Sequence, residues 1–523
     1  MPSATDHPVV ETAAGRIRGA TADGVHAFKG VPYGADTAGA NRFMAPKRPE
    51  PWSGVRDALV LAGRSPQNGP GPRRPELATV WGPVDTLTPS EDCLKLHVWT
   101  PGLDEAKRPV MVWLHGGAFS YGSANVPRFD GTNLAKRQDV VVVAVNHRLN
   151  IFGHLHLGDI GGERFAHSGN AGVLDLIAAL DWVREHAARF GGDPGRVTVF
   201  GQSGGGGKIS TLLAMPAAKG LFHRGIIQSG ATIRVAERER ANMVAEAVLK
   251  HLGIGKGELD RLQSLSIAQL QAAIAPAEKA LPPAQYPLLD RYPFGPVVDG
   301  TDLPQQPFAP AAAPTGAGVP IMIGDTREET AIFLAGDDAV WFRTLSESAL
   351  PGRVAAVMGQ GDDAASALIG RYRALHPEMT PADLLIAILT DSNFRARSLM
   401  LAERKSAQGG PVWFYSLDWG SPAHEGRLKA SHSIDTPLVF DTVDRCGPST
   451  EGPEASALAA AMSATWAAFA RTGDPNNPAI PAWPVFSKDA PAVLHFDTTC
   501  RVGSVGTDDP RRTWARLAEG AST

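Results

Sequence analysis

From about residue 109 onward, short uninterrupted apolar runs alternate with longer stretches whose apolar residues return every three or four positions. Runs of the first kind suit strands covered on both faces, and their alternation with helices predicts a mainly parallel sheet between helical layers, an α/β fold. The predicted strands are Val110 to Leu114, Val140 to Asn146, Arg196 to Phe200, Gly225 to Gln228, Pro320 to Ile323 and Val412 to Leu417. The clearest predicted helix covers Asn170 to Phe190. Val173, Leu176, Ile177, Leu180, Val183 and Ala187 share one of its faces, Asn170 can cap its start, and Gly191-Gly192 stops it. A second strong helix is expected over Ser456 to Arg471, capped by the Ser456 hydroxyl and ended by Gly473-Asp474-Pro475.

Helical patterns rich in Ala, Leu and charge interrupt the strand series at about 232–292 and again at about 336–410. They read as helical insertions over the edge of the sheet where chemistry would occur. Leu281-Pro282-Pro283 and Pro304 to Pro314 read as connections, since proline cannot donate to a sheet ladder. With no internal repeat, residues 1–523 are expected to form one elaborated α/β domain.

The composition narrows the classes of partner. The chain has 523 residues, 43% hydrophobic and 20% charged, with a formal charge of −4 and no long basic run to track phosphates, so nucleic acid is not an expected partner. No apolar stretch reaches bilayer length, and Met1 to His7 lacks a positive segment followed by an apolar one, so a cytoplasmic protein without membrane association is expected. Cys93, Cys446 and Cys500 are too few and scattered for a disulfide framework or a thiolate metal site.

Candidate chemistry begins at Gly201-Gln202-Ser203-Gly204-Gly205, between the apolar run ending at Phe200 and a glycine-rich helical stretch. A serine at such a strand-to-helix turn is exposed as a nucleophile, and the following helix offers its positive end to developing negative charge. Attack on an acyl carbonyl also needs a base, a carboxylate to orient it and backbone donors for the oxyanion. His115-Gly116-Gly117-Ala118-Phe119 follows a predicted strand and can aim N–H groups at one point, with Gly117 and Ala118 as donors and Gly204 as a third. Gly324 to Glu329 follows another strand and holds three carboxylates, while His432 lies beyond the strand ending at Leu417. Composition alone does not choose between Glu328 and Glu329, or between His424 and His432.

Phe190-Gly191-Gly192-Asp193-Pro194, together with the elbow around Ser203, resembles the nucleophile signature of the type-B carboxylesterase and cholinesterase family. Glu91-Asp92-Cys93-Leu94, followed by Leu96 and Val98, is similar to that family's second signature, and further matches run from Phe28 to Pro475. The resemblance implies an α/β-hydrolase fold and a serine hydrolase that cleaves carboxylic esters through an acyl-enzyme on Ser203. It implies Glu329 as the acid, because Gly324 to Thr330 is similar to the family's G-x-N-x-x-E-G loop. His432 is implied as the base, being followed three residues later by Asp435 and then by a strand, Pro437 to Phe440. It implies Ser229, in Gln228-Ser229-Gly230, as a hydrogen-bonding support to the triad, a small-molecule ester as substrate and no metal or organic cofactor; helical surface on the C-terminal half leaves a monomer or a homodimer as the expectation. Aryl carbamates or amides are alternative substrates for the same triad, and a non-catalytic binding protein is a remote alternative.

The chain departs from the family pattern in places. Gln202 stands where Glu is usual, which removes a negative charge near Ser203 and His432. Ala118 replaces a glycine and would crowd esters of tertiary alcohols. Thr326 and Thr330 replace the usual Asn and Gly around Glu329, and His147 and His154 stand where aromatics are common. Ser65 occupies the place of a bridging cysteine, so Cys93 is expected to be a free buried thiol. Gly204 to Gly207 leaves either room for an acyl group or a close helix-to-sheet contact. Trp81 is a candidate wall for the alcohol side.

Overall fold

Residues Val110, Val112 and Leu114 point into one hydrophobic cluster while Met111 and Trp113 point into another. That alternation is the period of a strand, and both faces being apolar means that both are covered. This computed structural model describes residues 7–61, 63–69, 74–78, 80–282, 292–506 and 509–518. In chain order its strands are β1 (Val9–Thr12), β2 (Gly15–Arg18), β3 (Ala20–Ala22), β4 (Val25–Pro32), β5 (Val55–Asp57), β6 (Lys95–Thr100) and β7 (Arg108–Leu114). They continue with β8 (Val141–Val145), β9 (Gly192–Gln202), β10 (Arg224–Gln228), β11 (Ile321–Thr326), β12 (Val412–Leu417), β13 (Ala492–Phe496) and β14 (Arg501–Ser504).

Eleven of them make one sheet in the order β14-β13-β12-β11-β10-β9-β7-β8-β6-β4-β3, and β1, β2 and β5 make a small second sheet. From β8 through β13 neighbouring strands run parallel, while β3, β4, β6 and β14 attach antiparallel at the two sides. All six predicted strands are present. The antiparallel strands at both ends of the sheet were outside the sequence-based expectation.

One face of the sheet is covered by the helices Ala171–His186, Gly204–Leu212 and Ala396–Ser406, the other by Thr132–Gln138, Asp435–Phe440 and Pro453–Thr472. Three helix-level expectations need correction. Asn170 makes no capping bond to the helix it precedes; its amide instead donates to the Val297 carbonyl and Asp299, and its carbonyl accepts from the Val297 N–H. The late helix starts at Pro453 rather than at Ser456, because proline at a first helical position needs no N–H partner, and Gly473 ends it in a left-handed turn. Pro437 to Phe440 belongs to a helix, not a strand, since a four-residue apolar run carries no readable period.

The first insertion is helical from Arg238 to Lys279 with its own apolar cluster, and the second from Asp338 to Ser406 with another. Pro283 lies outside the described residues. No helix among the described residues is long and apolar enough to cross a membrane. Glu91 of the second signature is structural: Arg42 pairs bidentately with it at 2.7 and 2.6 Å, as Arg148 does with Asp175 at 2.8 and 2.6 Å, all four side chains buried. Removing one member of such a pair strands a buried charge and costs about 3–5 kcal/mol.

Candidate active site

The β7–β9 pairing sets Leu114 opposite Gly201, so the turn after β7 and the turn after β9 leave the sheet side by side. The β10–β11 and β11–β12 pairings carry the next loops to the same edge, the carboxyl end of the parallel strands, where open α/β sheets bind ligands. A cavity of about 720 Å³ opens there. Its walls include His115 to Phe119, Gln202 to Gly204, Ser229, Phe333, Phe394 and His432. The insertions close it with Arg234, Val235, Glu237 and Arg240 on one side and Asn393, Phe394 and Arg397 on the other. Trp81 lies on the wall, beside Leu77 and Val80.

Ser203 has φ 58° and ψ −123°, a backbone region that L-residues seldom occupy. The surroundings hold it there: its N–H donates to the Gln228 carbonyl at 2.7 Å and its carbonyl accepts from the Gly207 N–H at 3.1 Å. Gly205 shows why the elbow needs glycine, since a Cβ on it would stand 2.0 Å from the Leu114 carbonyl oxygen. On Gly204 the same atom would meet Ala118 Cα at 2.4 Å, and on Gly206 it would meet Gly230 Cα at 2.9 Å. Close contact of the helix with the end of β7 and with the loops after β7 and β10 therefore accounts for the first three glycines. Gly207 differs: it lines the cavity and its nearest neighbour would be the Thr232 hydroxyl, at 2.9 Å.

Glu329 and His432, 103 residues apart, meet at 2.5 Å between Oε2 and Nδ1. Glu329 is fully buried, and its Oε1 accepts from the Thr326 N–H at 2.8 Å. With Nδ1–H given to Glu329, Nε2 carries the lone pair, and the Gln202 amide nitrogen lies 3.2 Å from it. The Gln202 carbonyl oxygen accepts from the Ser433 hydroxyl at 3.0 Å. Phe333 and Phe394 flank the imidazole with ring centres 5.0 and 5.1 Å away. Phe394 comes from a π-helical turn, Asp391–Arg395, a distortion often found at functional sites. Glu328 turns elsewhere, accepting from Arg327 and from the Ala430 N–H, and His424 packs on Trp341. Thr330 ties the Glu329 turn to the neighbouring helix through Ile386 and Thr390.

Gly117 (φ 92°) and Ala118 (φ 53°) both take left-handed conformations, and their N–H groups have no partner among the described residues. Gly204 opens a helix, so its N–H has no acceptor within that helix. His147 stacks on His115 at 5.0 Å, and His154 meets Phe119 edge-on at 5.4 Å, so imidazoles serve as flat aromatic rings here. Burial holds both His115 and His147 well below the ordinary histidine range, and the charge of Lys208 adds to the effect. Ser229 lines the cavity, and its buried hydroxyl has no hydrogen-bond partner among the described residues. Asp435, beyond His432, accepts from Gln228 at 2.8 Å, and burial raises its pKa to about 6. Cys93 is a free, buried thiol, pushed up to about 12 by desolvation.

Sequence reasoning passed over Lys208. Its signal was a lone charge in the otherwise uncharged helix Gly204–Leu212.

A serine on a strand-to-helix elbow, a histidine on the same cavity wall with a buried carboxylate behind it, and N–H groups without a partner among the described residues define a serine hydrolase of the α/β-hydrolase fold. The sequence profile described as "Carboxylesterase family" matches residues 6–512, and the chain belongs to that family. It is a carboxylic ester hydrolase. The para-nitrobenzyl esterase of Bacillus subtilis (strain 168) is 36% identical over 495 residues, covering 94% of this chain and 95% of that protein. The phenmedipham hydrolase of Pseudarthrobacter oxydans is 34% identical, covering 93% and 94%. Among solved structures, the Geobacillus stearothermophilus carboxylesterase EST55 superposes with a TM-score of 0.81 at 36% identity, covering 97% of this chain and 99% of that one.

Proposed function

We propose that ester hydrolysis runs through Ser203, His432 and Glu329 in two acyl-transfer steps. Ser203 Oγ attacks the ester carbonyl carbon while His432 Nε2 takes its proton, and Glu329 holds the ring in the tautomer that puts the lone pair on Nε2. The carbonyl oxygen gains the negative charge and is met by the N–H groups of Gly117, Ala118 and Gly204. When the intermediate collapses, the carbon–oxygen bond to the alcohol breaks and His432 returns the proton to the departing oxygen. Water, activated by His432, then adds to the acyl-enzyme and releases the acid and Ser203.

The observation that carries this reading is the 2.5 Å contact by which buried Glu329 holds His432, on the wall of a cavity that Ser203 also lines beside two backbone donors without a partner among the described residues. The fitting substrates are small esters, since aromatic and aliphatic side chains form much of the wall. Hydrolysis of p-nitrophenyl esters from acetate to decanoate tests it. Ser203→Ala or His432→Ala should lower turnover by about a million-fold and Glu329→Gln by about ten-thousand-fold. Turnover retained by Ser203→Ala would refute the assignment.

A further inference from the structure

Lys208 is fully buried on the helix that follows Ser203, yet it does not line the cavity. Its ammonium donates to the His115 carbonyl at 2.7 Å and the Ala118 carbonyl at 3.1 Å, and lies 5.7 Å from the centre of the Phe119 ring. No carboxylate pairs with it among the described residues. The titratable groups facing it are His115, His147 and His154, all held neutral mainly by burial, with Arg148 beyond His154. Lys208 is thus the cation nearest the glycine-rich turn, and burial brings its own pKa down to about 7.

What the ammonium holds matters more than its charge alone. In a trans peptide the C=O of one residue and the N–H of the next point in opposite directions, so the Gly116 and Gly117 carbonyls aim the Gly117 and Ala118 N–H groups, while the His115 and Ala118 carbonyls fix the peptides on either side of that pair. All four carbonyls from residue 115 to residue 118 are anchored. The Gly116 carbonyl lies 2.8 Å from the His115 ring, and the Gly117 carbonyl accepts from Ser120 and Tyr121, both within the turn itself. The His115 and Ala118 carbonyls go to Lys208, and among the four these anchors alone join the turn to the helix that begins at Ser203.

We propose that Lys208 is the positioning residue of the oxyanion hole, holding the His115 and Ala118 carbonyls so that the Gly117 and Ala118 N–H groups stay in register with Ser203. The inference rests on the roles proposed above for Ser203, Gly117 and Ala118. Lys208 touches no reacting atom. It acts through the 115–116 and 118–119 peptides, which clamp the two donor peptides between them and tie them to the nucleophile helix, and its positive charge sits on the same turn that meets the oxyanion.

Lys208→Met preserves the length of the side chain and removes its charge and donors. With p-nitrophenyl butyrate, kcat should fall by roughly 10- to 100-fold, with KM within about twofold of wild type. Affinity for a trifluoromethyl ketone, which Ser203 converts to a tetrahedral oxyanion, should fall by the same factor as kcat/KM. Unchanged kcat and ketone affinity in a folded Lys208→Met protein overturn the role of Lys208, whereas absence of hydrolysis by the wild type overturns the reading of the site itself. Should the methionine variant not fold, Lys208→Gln is read in the same way. The wild type also supplies a check that needs no variant. With lysine labelled at Nζ with nitrogen-15, the Lys208 titration should move to higher pH when the ketone is bound, because the oxyanion favours the charged form, and a titration unmoved by the ketone overturns the proposal.

Discussion

The Gln202 amide nitrogen lies 3.2 Å from His432 Nε2 and 3.4 Å from Nδ1, so a charge placed there would act on the base directly. In Gln202→Glu a carboxylate would stabilise the imidazolium, which is the inactive form for proton abstraction, and a higher pH would be needed to clear it. The acidic limb of the kcat/KM profile should therefore move upward by about one pH unit. An acidic limb that stays in place would show that the Ser433 hydroxyl or solvent screens the site. Several residue choices were legible only in part. The elbow serine stands out from its glycines, but Glu328 and Glu329 are chemically alike, and what separates them is the partner each finds: Arg327 and the Ala430 N–H for one, His432 for the other. Lys208 was hidden for a different reason, because a lysine in a helix reads as a solvated residue until the packing on every side is known.

Among the elements, the nucleophile helix gives the sharpest contrast. Gly205→Ala would force its Cβ into the Leu114 carbonyl, and no side-chain rotation relieves a backbone contact, so the variant should lose several kcal/mol of stability or not fold. Gly207→Ala meets only a threonine hydroxyl that can turn away, and it removes a helix glycine, so it should gain up to about 1 kcal/mol in denaturant unfolding. It should also narrow the cavity and shift preference toward shorter acyl chains in the p-nitrophenyl series. Equal destabilisation by both variants would contradict the packing described. The central parallel strands were legible because β8, for example, is buried at every position, whereas β1 alternates exposed and buried over only four residues and β14 is largely exposed. Such short, half-polar strands are fixed by their neighbours, not by their own pattern. The π-helical turn behind Phe394 had no readable period at all.

For the molecule as a whole, the buried histidines set the acid limit of stability. His97 is lowered by desolvation to about 4 and His154 to about 3, and His115 and His147 are well below the ordinary value. The unfolded chain binds protons at these sites as pH falls through about 6.5 while the folded chain stays neutral, so stability present above that pH is lost on acidification. Asp435 works in the opposite sense between about 6 and its ordinary 3.8, and so offsets part of the loss. Between pH 7 and pH 5 each such histidine should remove on the order of 1–2 kcal/mol from the unfolding free energy, with His97→Gln abolishing one share. Equal denaturant midpoints at the two pH values would refute this.

The order of the functional groups along the chain also bears on how the protein is made. Translation delivers the Ser203 elbow first, Glu329 well over a hundred residues later, and His432 a further 103 residues on. The helix Pro453–Thr472 follows, and its Trp466 indole donates to Gln228 beneath the elbow at 3.1 Å. A nascent chain ending at residue 430 would therefore carry the serine without its base, and a chain ending at residue 450 would hold the base without the helix that backs the sheet. Hydrolysis would then begin only once synthesis had passed the helix Pro453–Thr472, sparing the shorter nascent chain from acylating itself.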